Sequence, residues 1–291
     1  MRPPYPIALV PLLPQFLTRR RGKADFPLRA MERLGVDRPA YFFAMDLGNV
    51  DPRGARPEDI GNATYRTSDE PWRGAAAMAE AAGLVRSADG RWSLTGKGRD
   101  ALAELRAAMD AHYASLAPIA GADLKRLAGL LEQALAAAAT SAEPRTRDHT
   151  QRAARYRWRD PASAFARLDA AVYGLWQVRD DCHAQAWRDA GLAGPVLDVL
   201  TRLWRKEAAT DEELATKILT QKPEDVRAAT QQLRGLGLLA SGLTLTEQGA
   251  AVRDRIEAET DRYFFAPWPD AVADEAGWIA DRLGAVNAGL T

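Results

Sequence analysis

Asp180-Asp181-Cys182-His183 is the one run in the chain that joins carboxylates, a thiol and an imidazole. Such groups serve acid–base and nucleophilic chemistry. Their spacing argues against it here. Neighbours on a helix diverge by about 100°, so Cys182 and His183 do not make a nucleophile–base pair unaided. Arg179 and His183 stand four apart and share a face, which suits a structural polar cluster. A metal would need His112 or His149, the only other histidines, and a single cysteine leaves no closed Cys/His zinc site. Asp180 and His183 therefore stand as candidate residues of a ligand pocket. No phosphate-binding loop, dinucleotide-binding glycine fingerprint or Gly-x-Ser-x-Gly elbow occurs. Neither enzyme activity nor a cofactor is expected.

A different chemistry, recognition of nucleic acid, fits the helix predicted from Pro223. Thr210-Asp211-Glu212-Glu213 supplies an N-cap and an acidic first turn to the helix before it. Thr220-Gln221-Lys222 makes the turn, and Pro223 opens the next helix with its fixed φ. Val226, Ala229, Thr230 and Leu233 fall on one side of that helix. Glu224, Arg227, Ala228 and Gln231 fall on the other, with Arg234 at the edge. Arginine and glutamine facing outward are suited to guanine and adenine edges in a major groove, and Lys222 to a phosphate. The competing reading is a solvated face, since Glu224 repels phosphate.

Two other basic groups compete for the same role. A helix near residue 75 carries Trp72, Ala75, Ala76 and Ala79 inward, with Arg73 on the outer face at the offset of Arg227. Arg91 and Lys97 flank the hairpin that follows it. This copy, poor in reading residues, is expected to pack or dimerise more than to read bases. Arg152, Arg155, Arg157 and Arg159, interleaved with Tyr156 and Trp158, are candidate phosphate contacts. Extended backbone would align Arg155, Arg157 and Arg159 on one side. Pairing of this stretch with the acidic C-terminal region is the alternative.

The elements that position these groups are helical. Helices are expected at 75–82, 97–116, 122–139, 162–190, 195–205, 212–218, 223–233 and 248–265. Short strands are expected at 84–85, 91–94, 238–239 and 243–245. An internal near-repeat organises them. Ala-Ala-Gly-Leu-Val (81–85) leads through a hairpin to Leu-Thr-Gly-Lys-Gly (94–98) and a long helix. Gly-Leu-Gly-Leu-Leu (235–239) leads through a hairpin three residues shorter to Leu-Thr-Glu-Gln-Gly (245–249) and another. Asp89-Gly90 and Ser241-Gly242 supply the turns, and Thr95 and Thr246 the helix caps. Tyr5 to Leu17 is apolar but carries Pro6, Pro11 and Pro14, with Arg19-Arg20-Arg21 after it, which predicts an extended arm and no signal peptide.

At the twin Leu-Thr-x-x-Gly steps the sequence resembles winged helix-turn-helix proteins of the multiple-antibiotic-resistance regulator type. From about Trp176 to Trp268 it resembles a mostly actinobacterial helix-turn-helix family. Arg179 to His183, Ala190-Gly191-Leu192, Leu238 to Gly249, Ile256 to Asp261 and Ala266-Pro267-Trp268 carry that likeness. The resemblance implies the fold and DNA binding, and brings no ligand or reaction with it.

The chain has 291 residues, 39 basic against 39 acidic, with 47% apolar residues. That balance excludes a polycation and a wholly disordered chain, and one cysteine excludes a disulfide scaffold. The expected fold is mainly α with small β-hairpin wings, as tandem winged helix-turn-helix units joined by long helices. Its divisions are an N-terminal arm (1–26), a first unit (27–120), a helical connector with a basic segment (121–192) and a second unit with C-terminal helices (193–291). The expected function is DNA binding, as a cytoplasmic transcriptional regulator with double-stranded DNA as partner, a small-molecule effector and no membrane. The alternative is a winged-helix protein–protein or scaffold module. Pairing of the helices at 98–116 and 249–265 would make an internal pseudo-dimer in a monomer; a homodimer is the other arrangement.

Overall fold

The computed structural model describes residues 1–21, 24–56 and 59–60 apart from 51–53, then 64–156 and 163–290. The N-terminal arm is not extended. After a 3-10 turn at Ile7–Leu9, α1 spans Leu12–Arg19. Pro11 is its N-cap and Pro14 lies in its first turn, where a missing N–H breaks no intrahelical bond. Leu9, Leu13 and Phe16 are fully buried. Near the other end of the chain, Asn287 Nδ2 donates to Leu12 O at 3.1 Å.

Residues 26–115 hold α2 (Phe26–Leu34), α3 (Arg38–Val50), α4 (Glu70–Ala81), β1 (Val85–Ala88), β2 (Arg91–Leu94) and α5 (Gly96–Ser115). Gly35 ends α2 at φ 65, a conformation that glycine adopts without strain. β1 and β2 pair antiparallel, Val85 opposite Leu94. Ala55 adds a third backbone to this hairpin, exchanging two 2.9 Å hydrogen bonds with Trp92. Trp92 meets Phe43 edge-on at 5.4 Å, so it serves the core of this unit. That core is separate and includes Tyr41, Phe43, Leu47, Ala76, Ala79 and Leu84.

The larger core gathers around a long central helix. It comprises α6 (Gly121–Thr140), α7 (Asp148–Tyr156), α8 (Ala164–Asp189), α9 (Gly194–Trp204), α10 (Asp211–Lys217), α11 (Pro223–Gly235), α12 (Glu247–Phe265), α13 (Asp270–Ala273) and α14 (Ala276–Gly289). α6, α7, α12, α1 and α5 all pack on α8. A Cβ on Gly174 of α8 would lie 2.6 Å from Leu135 of α6, so these helices approach closely. α5 and α12 each use α8 as their partner, which differs from the expected direct pairing of 98–116 with 249–265. α8 is buried on most sides and fills the space between them.

Candidate nucleic-acid interface

The second helical unit runs α9, α10, turn, α11, hairpin, α12. Thr210 Oγ1 caps α10 by accepting from Glu213 N at 3.1 Å. The Glu213 carboxylate reaches back to accept from Ala209 N at 2.8 Å. Pro223 follows the N-cap Lys222 and starts α11. Val226, Ala229, Thr230 and Leu233 are buried, while Glu224, Arg227, Ala228, Gln231 and Arg234 are exposed. The hairpin shrinks to one bridge, Leu239 with Leu245, framed by bonds from Ala240 N to Thr244 O at 2.9 Å and from Thr246 N to Leu238 O at 3.0 Å.

Both corners that end a hairpin and start a helix have the same construction. Thr95 Oγ1 accepts from Gly98 N at 3.1 Å and donates to Gly83 O at 2.7 Å. Thr246 Oγ1 accepts from Gly249 N at 3.0 Å and donates to Gly237 O at 2.8 Å. A Cβ on Gly98 would lie 2.1 Å from Leu84 O, and one on Gly249 2.2 Å from Leu238 O. The threonine is a cap and the glycine permits backbone contact, which accounts for the repeated Leu-Thr-x-x-Gly.

The nucleic-acid candidates divide into free and engaged groups. Arg73, Lys222, Arg227 and Gln231 are exposed, with no side-chain partner among the described residues. Arg234 Nη2 donates to Gly242 O at 3.1 Å, bracing the second hairpin. Arg91 Nη2 donates to Gly54 O at 2.5 Å, and Lys97 Nζ to Ala82 O at 2.9 Å, at the C-terminal end of α4. These two therefore have structural contacts that the sequence did not reveal. Five carboxylates lie in the first turns of α10 and α11: Asp211, Glu212, Glu213, Glu224 and Asp225.

The basic connector departs from expectation. Arg152 and Arg155 lie in helix α7, so the extended alternation does not apply; Arg157 and Arg159 lie outside the described residues. Helix is favoured because Asp181 of α8, fully buried, caps its start. Asp181 Oδ1 accepts from His149 N at 2.8 Å, and Oδ2 accepts from Thr150 N at 2.9 Å and Thr150 Oγ1 at 2.6 Å. Burial would raise this carboxyl, but the bonds from His149 and Thr150 hold it below its ordinary value. The connector does not lean on the acidic C-terminal region through Arg145, which pairs with Asp189 at 2.7 Å.

Asp180 and His183 do not meet in a pocket. His183 faces α12, its Nδ1 3.1 Å from Thr260 Oγ1 and 3.6 Å from Glu257. Arg253, buried, pairs with Glu257 at 2.6 Å, and Arg179 pairs with Glu257 and Asp261. Burial lowers His183 to about 4, against the pull of Glu257. Burial opposes ionisation of Glu257, yet Arg253, His183 and Arg179 bring it down to about 2. Asp180 instead accepts from Gln177 Nε2 at 3.5 Å, and burial pushes its carboxyl up to about 6 against the pull of His149, Arg179 and Arg152. Cys182 is fully buried and its thiol is raised by burial, which removes it as a nucleophile. No group of metal-ligating side chains occurs among the described residues.

One feature without a sequence signal joins the two units. Thr67 N donates to Thr220 O at 3.0 Å, and Lys222 N donates to Thr67 Oγ1 at 3.2 Å. The segment before α4 thus sits on the turn before α11.

A helix-turn-helix arrangement with an exposed second helix defines the class. The chain belongs to a helix-turn-helix family, whose model matches residues 135–291, more than half of the chain. Comparison with curated proteins and with solved structures found no match. No described helix is long and apolar enough to cross a membrane.

Proposed function

We propose that the protein binds double-stranded DNA as a transcriptional regulator, using two winged helix-turn-helix units of the multiple-antibiotic-resistance regulator type. The observation that carries this is the outer face of α11, where Lys222, Arg227 and Gln231 stand exposed opposite a buried stripe. The matching corners at Thr95 and Thr246 support kinship between the units. The reading assigns no catalysis and places the protein in the cytoplasm. A small-molecule effector and either a monomer or a homodimer complete it.

The test is binding to genomic fragments at two salt concentrations. Arg227→Ala is expected to weaken specific binding by about 1–3 kcal/mol and to relax one base position. Lys222→Ala is expected to weaken binding to all sequences alike, because a phosphate contact carries no sequence information. Absence of salt-sensitive binding by the wild type would remove the DNA reading. A scaffold role is the second reading, favoured by the five carboxylates at the starts of α10 and α11. In that case Lys222→Ala would alter capture of a protein partner and leave DNA irrelevant.

A further inference from the structure

Helix-turn-helix proteins that read two half-sites hold their recognition helices about 34–36 Å apart, one turn of duplex. The contact between the units here sets a different distance. Thr67 bonds to both Thr220 and Lys222, on the turn that leads into α11. The same segment is seated along its length. A Cβ on Gly194, the first residue of α9, would lie 2.0 Å from Thr64 O, so the two backbones touch. Tyr65 lies 6.4 Å from the Trp187 ring, and Gln221 Nε2 donates to Pro195 O at 3.2 Å beneath it.

α4 begins at Glu70, three residues beyond Thr67. Three residues reach about 10 Å at full extension, and the Thr67–Lys222 contact and the step to Pro223 add about as much again, so α4 and α11 start within about 20 Å of each other. The starts of such helices are the parts that contact base edges. A major groove is about 12 Å wide. The two starts therefore fit one stretch of groove and fall well short of two successive ones.

We propose that α4 and α11 form one composite surface for a single, undivided stretch of duplex, instead of serving separate half-sites. The inference rests on the DNA reading above and specifies the shape of the site. Arg73 of α4 joins Lys222 and Arg227 of α11, all three without side-chain partners among the described residues. Leu219, 78% exposed on the turn between α10 and α11, supplies an apolar contact of the kind thymine methyls accept. Glu70 and Glu224, exposed at the two helix starts, are acceptors for a cytosine amino group.

The experiment selects bound sequences from random duplexes with the full chain and measures stoichiometry. One chain is expected to select one undivided motif, with no inverted repeat at a spacing of about 10 base pairs. Arg73→Ala and Arg227→Ala are each expected to weaken binding about tenfold, relaxing positions within about five base pairs of each other. A variant with Thr67→Cys and Thr220→Cys, oxidised to lock the junction, is expected to bind within about twofold of its reduced form. One chain spanning two half-sites, an Arg73→Ala variant with unchanged binding, or loss of binding on oxidation would each overturn the composite surface. Failure to bind any duplex would overturn the DNA reading itself and this inference with it, a result distinct from the other three.

Discussion

Gly98 and Gly249 each press a helix start against the carbonyl of the preceding segment, leaving no room for a Cβ. Gly74 is the opposite case: it lies in exposed α4, and a Cβ there would meet nothing within 4 Å. Gly249→Ala is therefore expected to destabilise by about 1–3 kcal/mol through overpacking. Gly74→Ala is expected to stabilise by up to about 1 kcal/mol through helix propensity. Urea unfolding of the two variants checks the pair, and equal signs would refute the corner geometry. His183 gives a pH-dependent counterpart. Its folded value is about 4 against 6.5 for an ordinary histidine, so the unfolded chain binds the extra proton between those values. Stability from neutral His183 is complete above pH 6.5 and falls as pH drops towards 4. Asp46 and Asp180, both raised by burial to about 6, act in the opposite direction between pH 6 and 3.8. The histidine must therefore be isolated by difference. The stability of wild type minus that of His183→Gln is expected to shrink by up to about 3 kcal/mol from pH 7 to pH 4. A constant difference would mean that His183 titrates in the folded protein as it does in the unfolded chain.

Elements repeat in order but not in strength. The first hairpin has four paired positions, a third backbone at Ala55 and the Phe43–Trp92 contact. The second has one bridge, made by two backbone bonds and braced by Arg234. Amides at 239–245 are expected to exchange hydrogen faster than those at 85–94, since fewer contacts must open. Exchange mass spectrometry checks this order, and the reverse would show that the shorter hairpin is the firmer one. Helices such as α5, α11 and α12 were legible because a polar face, a capping threonine or an opening proline marks each. α3 was not, because Ala40 to Met45 form one unbroken apolar run, and so short a run reads as strand or helix alike. α7 was not legible either, and its residues read only as part of a connection between halves, because its cap, Asp181, comes from another helix. The outer face of α11 could be read from spacing alone. The junction beside it could not: Thr67 sits in a segment without periodicity, and its partner Lys222 lies 155 residues away.

At the scale of the whole molecule, 39 basic residues balance 39 acidic ones, so any attraction to a polyanion must come from local arrangement. Much of the positive charge is spent inside. Arg20 pairs with Asp169 at 3.3 Å, Arg179 and Arg253 serve Glu257, and Arg202 pairs with Asp198 at 3.1 Å. On the composite surface Arg73, Lys222 and Arg227 remain exposed without side-chain partners among the described residues. Binding to duplex DNA releases roughly 0.9 counterion for each phosphate neutralised. Three contacts therefore give a plot of log affinity against log salt with a slope of about −3. Lys222→Ala is expected to flatten that slope by about 1, while substitution of an arginine that is already paired, such as Arg126→Ala, leaves it unchanged. The Arg126 side chain is already engaged with Glu275 and stacked 4.3 Å from the Trp278 ring. Titration of one duplex at four salt concentrations measures the slope. A slope near zero would exclude phosphate contact by this surface. A slope steeper than about −6 would require further cations, with the basic stretch from Arg145 to Arg159 the first place to look for them.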